Sequence, residues 1–170
     1  FGDSGLTFAA TNGVTFAAWV REDSIQEKGT ILHLCDWDAT NCILLQHVGA
    51  TRRALLSISK QGAPFRELKT PDGAGADGDP DDWFFPPAPA ADGSLGPWVH
   101  VAATANSTDG RMALFRDGAT RESNSSCDGS GNCDGWTRDD GLAPNPSSLG
   151  VTYTRAALGR KEQSDGAGVD

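Results

Sequence analysis

Between Trp98 and Gly118 the chain reads W-V-H-V-A-A-T-A-N-S-T-D-G-R-M-A-L-F-R-D-G, and few folds can absorb that pattern. From Val99, apolar Val101 and Ala103 alternate with His100, Ala102 and Thr104, the period of two that marks a half-buried strand. The polar run Asn106-Ser107-Thr108-Asp109-Gly110 follows, and its Asp-Gly pair tolerates the positive φ that a tight turn demands. The chain returns through Met112, Leu114 and Phe115 and stops at a second Asp-Gly, Asp117-Gly118. This is a β-hairpin with both ends marked.

The rest of the chain carries further strand patterns. Leu6 to Ala10 reads as a short first strand, and Asn12-Gly13 as a turn into Val14–Arg21. In that strand Val14, Phe16, Ala18 and Val20 form the core face, with Thr15, Ala17, Trp19 and Arg21 opposite. Thr30 to Cys35 and Cys42 to Val48 make an antiparallel pair around the loop Asp36 to Asn41; Ala54 to Ser59 and Phe65 to Lys69 follow as strands. Leu149 to Thr154 and Arg155 to Arg160 read as strands near the end. Pro71 to Pro97 breaks the pattern, being rich in Pro, Gly, Ala and Asp, and little of it could enter a ladder. Within it only Trp83-Phe84-Phe85 reads as ordered, an aromatic plug folding back over the sheet. Ala119 to Ser148 reads as a second irregular region, holding Cys127, Cys133 and Trp136. About eight to ten short strands separated by turns predict an all-β, two-sheet antiparallel sandwich in a single domain over 1–170.

Four landmarks in order carry a family resemblance: V-T-F-A-A-W-V-R from Val14, T-I-L-H-L from Thr30, the Trp98–Gly118 hairpin and Leu158-Gly159-Arg160. Together they resemble the laminin-G-like jelly rolls of the concanavalin A-like lectin and glucanase fold. The resemblance implies a jelly-roll sandwich and one more core strand after Leu158-Gly159-Arg160, which the stretch to Asp170 does not supply. These landmarks are packing motifs, so they speak to fold rather than activity.

Composition narrows the function classes. The formal charge of −9 leaves no basic stripe to neutralise phosphates, and it disfavours anionic membrane surfaces. No apolar run approaches the ~18 residues of a membrane span. The chain begins at Phe1 without a leader, so any targeting segment is expected outside it, in a larger multidomain protein. Cys35/Cys42 and Cys127/Cys133 are close in sequence, and three connectivities are open. Local pairing is favoured because each pair closes a small loop beside a predicted strand. Neither spacing is C-x-x-C, and no histidine is expected to cluster with the cysteines, so zinc is not expected. Asn106-Ser107-Thr108 and Asn124-Ser125-Ser126 are glycosylation sequons in predicted loops. Paired cysteines and sequons predict an extracellular or cell-surface location.

Chemistry-bearing candidates follow. Retaining glycosidases need two carboxylates about 5–5.5 Å apart, and laminarinase-type relatives use a Glu-x-Asp-x-x-Glu strand that this chain lacks. Glu22-Asp23 and Glu27 have the wrong spacing, Glu67, Glu122 and Glu162 are isolated, and no nucleophile elbow is present, so catalysis is not expected. His33, His47 and His100 all fall on predicted strands and are read as structural. Calcium is the candidate cofactor. Asp128, Ser130, Asn132 and Asp134 alternate like the first half of an EF-type loop, with Cys133 where that loop needs glycine. Asp3 is a further rim candidate, as the resemblance implies; the competing account of all these groups is solvated acidic turns. For a glycan, Trp37 between Asp36 and Asp38, Trp83 and Trp136 are the predicted loop aromatics, whereas Trp19 and Trp98 are assigned to packing. The expected function is non-catalytic recognition of a glycan or extracellular protein partner through rim loops, with an architectural domain as the alternative.

Overall fold

The computed structural model describes residues 6–7, 13–21, 28–36, 40–48, 52–60, 63–71, 84–85, 96–106, 110–120, 126–127, 132–135, 137–138, 152–153 and 155–158. They form thirteen strands: β1 (Leu6–Thr7), β2 (Val14–Val20), β3 (Lys28–Cys35), β4 (Cys42–Val48), β5 (Arg53–Lys60), β6 (Ala63–Lys69), β7 (Val99–Ala105), β8 (Met112–Arg116), β9 (Ser126–Cys127), β10 (Asn132–Asp134), β11 (Thr137–Arg138), β12 (Thr152–Tyr153) and β13 (Arg155–Leu158). The described residues contain no helix, so the all-β expectation holds.

A seven-stranded sheet runs β13-β3-β4-β5-β6-β10-β9, a four-stranded sheet β11-β8-β7-β2, and β1 pairs with β12 separately. One pair departs from the antiparallel expectation: β10 lies parallel to β6, with Cys133 opposite Leu68. Ala119 to Ser148, read as irregular, also contributes β9, β10 and β11. Strands of two or three residues are too short to show a period, and pairing with neighbours, not pattern, creates them.

The core forms where the apolar faces of both sheets meet. Leu34, Ile43, Leu45, Leu56, Ile58 and Leu68 from the larger sheet join Val99, Val101, Ala103, Met112 and Leu114 from the smaller one in a single buried cluster. Along β7 burial alternates at every residue, as the period of two requires. Phe84 and Phe85 belong to the same cluster at 0% and 1% exposure, so the expected aromatic plug is present, while Trp83 lies outside the described residues. Phe85 donates its backbone N–H to the Arg52 carbonyl and sets its ring edge-on to His47 at 4.8 Å.

The central hairpin ends as its sequence demands. Asp117 and Gly118 both take positive φ (51° and 81°), and Arg116 and Ala119 exchange backbone hydrogen bonds across them. Asp117 also locks the start of β7, donating its N–H to the His100 carbonyl while Oδ1 accepts the His100 N–H at 2.9 Å.

Candidate functional site

Among the described residues, the outer face of β2 and β7 carries the most exposed aromatic surface. The strands pair antiparallel with Trp19 opposite His100 and Val20 opposite Val99. Continuing that register brings Arg21 beside Trp98, and the Arg21 guanidinium lies 4.8 Å from the centre of the Trp98 ring. The Trp19 and His100 rings meet edge to face at 5.2 Å. Two cross-strand pairs therefore build one square in which each indole has a nitrogen-bearing group as its neighbour. Trp19 is 65% exposed and Trp98 57%, against complete burial of the phenylalanines in the core. Alternation explains the direction: Val99 and Val101 turn inward, so Trp98 and His100 turn out.

This corrects the assignment of Trp19 and Trp98 to packing. Among the described residues β2 is the last strand of its sheet, so an outward side chain there has a described neighbouring strand on one side only. Ala18, placed on the core face by its sequence position, is likewise exposed, and Val14, Phe16 and Val20 are only half-buried. The alternation was legible; the lateral cover was not.

The second cluster lies at the end of the β3–β4 hairpin. Cys35 and Cys42 face each other in register with Cα atoms 4.2 Å apart and are joined by a disulfide, the local pairing expected. His33, two residues back on the same face of β3, brings Nε2 to 2.9 Å from the Cys35 sulfur. Its position corrects the expectation that no histidine gathers at the cysteines. The signal was there: i and i+2 on a strand share a face. Cys133 is also disulfide-bonded and stands opposite Cys127 in the β9–β10 register.

Of the acidic candidates, Asp36 beside the predicted glycan aromatic and Asp134 of the calcium set have described surroundings, and both face partners within the fold. Asp36 Oδ1 accepts the backbone N–H groups of Thr40 and Asn41, and Oδ2 accepts the Thr40 hydroxyl and the Asn41 amide. Desolvation is the largest single influence and opposes ionisation, but these four bonds together outweigh it and hold the Asp36 carboxyl below its usual range. Asp134 pairs with Arg53, whose Nε donates to the Thr70 carbonyl. Asn132 and Asp134 sit on strand β10 rather than in a curled loop. Asp3, Trp37, Asp38, Trp83, Asn124, Asp128, Ser130 and Trp136 lie outside the described residues. Asn106 is described, at the turn after β7, where its N–H donates to the Arg111 carbonyl.

Among the described residues, His47 has the most perturbed acid–base behaviour. Burial withdraws water from its ring and the Arg52 charge adds to the penalty, so its pKa falls to about 4 and it is neutral at pH 7. It is buried and packs edge-on against Phe85 of the core cluster. Among the described residues no helix is long and apolar enough to cross a membrane. Neither a protein-family model nor a curated protein matches this chain.

Proposed function

We propose that the chain is a laminin-G-like sandwich module of a secreted or cell-surface protein, and that it acts by non-catalytic recognition of a glycan through the outer face of β2 and β7. The supporting observation is the Trp19–Arg21–Trp98–His100 square. Leaving two indoles in water on adjacent strands forgoes their burial, and a contiguous aromatic patch is a common mark of a binding surface. The apolar face of a pyranose ring stacks on an indole, and Arg21 and His100 beside it offer N–H donors to hydroxyl or carboxylate oxygens. The contact surface is thereby moved from the rim loops to the sheet face, and it uses no metal. The Cys35–Cys42 disulfide is consistent with an oxidising, extracellular setting.

The test is a glycan array followed by titration of any hit against Trp19→Ala and Trp98→Ala. Both side chains are more than half exposed, so the variants should melt close to the parent. The expected loss of affinity is about tenfold or more for each, since ~1.4 kcal/mol is a factor of ten. A hit whose affinity neither change alters would remove the patch from the function.

A second observation favours the architectural alternative. Because His100 turns its N–H and C=O toward Asp117, alternation points those of Val99, Val101 and Ala103 at β2. On β2 the groups of Ala18 and Phe16 answer them, and those of Thr15, Ala17 and Trp19 point to the edge where no described strand pairs. An uncharged edge, V-T-F-A-A-W-V, is suited to receive a strand from a partner. An array without hits, together with concentration-dependent self-association abolished by Ala17→Pro, would shift the function to assembly.

A further inference from the structure

We propose that reduction of the Cys35–Cys42 disulfide opens a zinc site made of His33, Cys35 and Cys42. One donor atom from each of the three residues falls in a group no wider than 4.8 Å. The set is soft, two sulfurs and an imidazole nitrogen, which suits Zn²⁺ and not the oxygen-seeking Ca²⁺. While the sulfurs are bonded to each other they offer no thiolate, so the oxidised chain lacks the site.

The chemistry balances with a dithiol as reductant. Its thiolate attacks one sulfur of the protein disulfide and expels the other as a thiolate; its second thiol then displaces the first protein sulfur. The reductant leaves as a cyclic disulfide, and the protein gains two electrons and two protons as two thiols. Burial sets the direction of attack. Cys35 is 3% exposed whereas Cys42 is half-buried, so the incoming thiolate meets Cys42 and Cys35 departs. The departing thiolate forms 2.9 Å from His33 Nε2, where an N–H donor would stabilise it. Zinc binding then releases the two thiol protons.

The geometry asks for little movement. Zn–S distances of about 2.3 Å and Zn–N distances of about 2.0–2.1 Å place tetrahedral donors roughly 3.5–3.8 Å apart. The sulfurs must separate to that spacing, which side-chain rotation can supply, while the imidazole already touches Cys35. The hairpin end does not depend on the S–S bond alone. Asp36 holds the 36–41 loop closed through Thr40 and Asn41, its own N–H donates to the Asn41 carbonyl, and the Cys42 N–H donates to Ser59 Oγ at 3.1 Å. Three protein ligands leave a fourth position for water or another donor.

The experiment treats the whole chain with a phosphine, which takes oxygen from water as it reduces the disulfide, removes it anaerobically, and titrates with Co²⁺ and then Zn²⁺. The expected result is a thiolate-to-cobalt charge-transfer band with visible tetrahedral bands, lost when Zn²⁺ displaces the cobalt. The oxidised chain should show neither. His33→Ala should weaken binding at least tenfold, and Cys42→Ser should remove the two-thiolate spectrum. Cys42→Ser keeps Cys127 and Cys133, so a two-thiolate signal that this variant retains belongs to that other pair. Absence of the bands in reduced parent protein that retains its β-sheet circular dichroism would overturn the proposal, as would identical spectra and affinities in parent and both variants.

Discussion

His47 shows how one buried titratable group ties stability to pH. The unfolded chain protonates this residue near pH 6.5, whereas the folded chain does so at about 4. Between those values the unfolded state binds more protons, so stability is complete above pH 6.5 and falls as pH drops toward 4. The 2.5-unit difference corresponds to a loss on the order of 3 kcal/mol. Asp36 acts in the same direction but lower down, because its folded pKa lies beneath 3.8 and its contribution is lost only as pH falls through that lowered value. Melting temperatures from pH 7.5 to 4 should therefore decline in the parent, and His47→Gln should flatten that decline whatever it does to the absolute values. An unchanged slope in the variant would show that His47 does not govern this window. From the sequence His47 was legible as a strand residue; its burial against Phe85 was not, since the plug reaches it from thirty-eight positions along the chain.

At the scale of elements, β2 depends on a single glycine at its start. Gly13 has φ of 118°, and a Cβ there would lie 2.5 Å from the Ala105 carbonyl oxygen and 3.0 Å from the Asn106 Cα. Both the torsion and the neighbouring backbone exclude a side chain, because β2 enters the sheet directly across from the end of β7. Gly13→Ala should cost more than about 1 kcal/mol, in contrast to the gain that the same change gives where φ is negative. Urea denaturation measures it, and a neutral result would mean that the β2–β7 end does not close as described. The same elements mark what sequence reasoning can reach. Cys42–Val48 and Val99–Ala105 match their predicted bounds; burial alternates strictly along the second, whereas Leu45, Gln46 and His47 are buried in succession along the first. The parallel β6–β10 pair had no local signal, since its partners are brought together from more than sixty positions apart. The candidate site divides the same way. The i, i+2 placement of His33 and Cys35 could be read from the strand, while the exposure of Trp19 required knowing that β2 is terminal.

For the molecule as a whole, the question is what fills the space between the two sheets. Small residues such as Ala54, Ala103 and Ala105 occupy core positions, so the space between the sheets needs bulk from elsewhere. Phe84 and Phe85 supply it from within a Pro- and Gly-rich stretch of the sequence, and they are among the largest fully buried side chains described. The aromatic pair read from the sequence as a plug thus carries part of the core. Phe84→Ala should cost about 3–5 kcal/mol, a large fraction of the 5–15 kcal/mol typical of a domain. Trp19→Ala, which removes a larger side chain from an exposed face, should cost far less. Denaturant titration of the two variants side by side tests this. A loss of less than about 1 kcal/mol at Phe84 would mean that the segment lies outside the core, and the sheets would then have to hold by their strand residues alone.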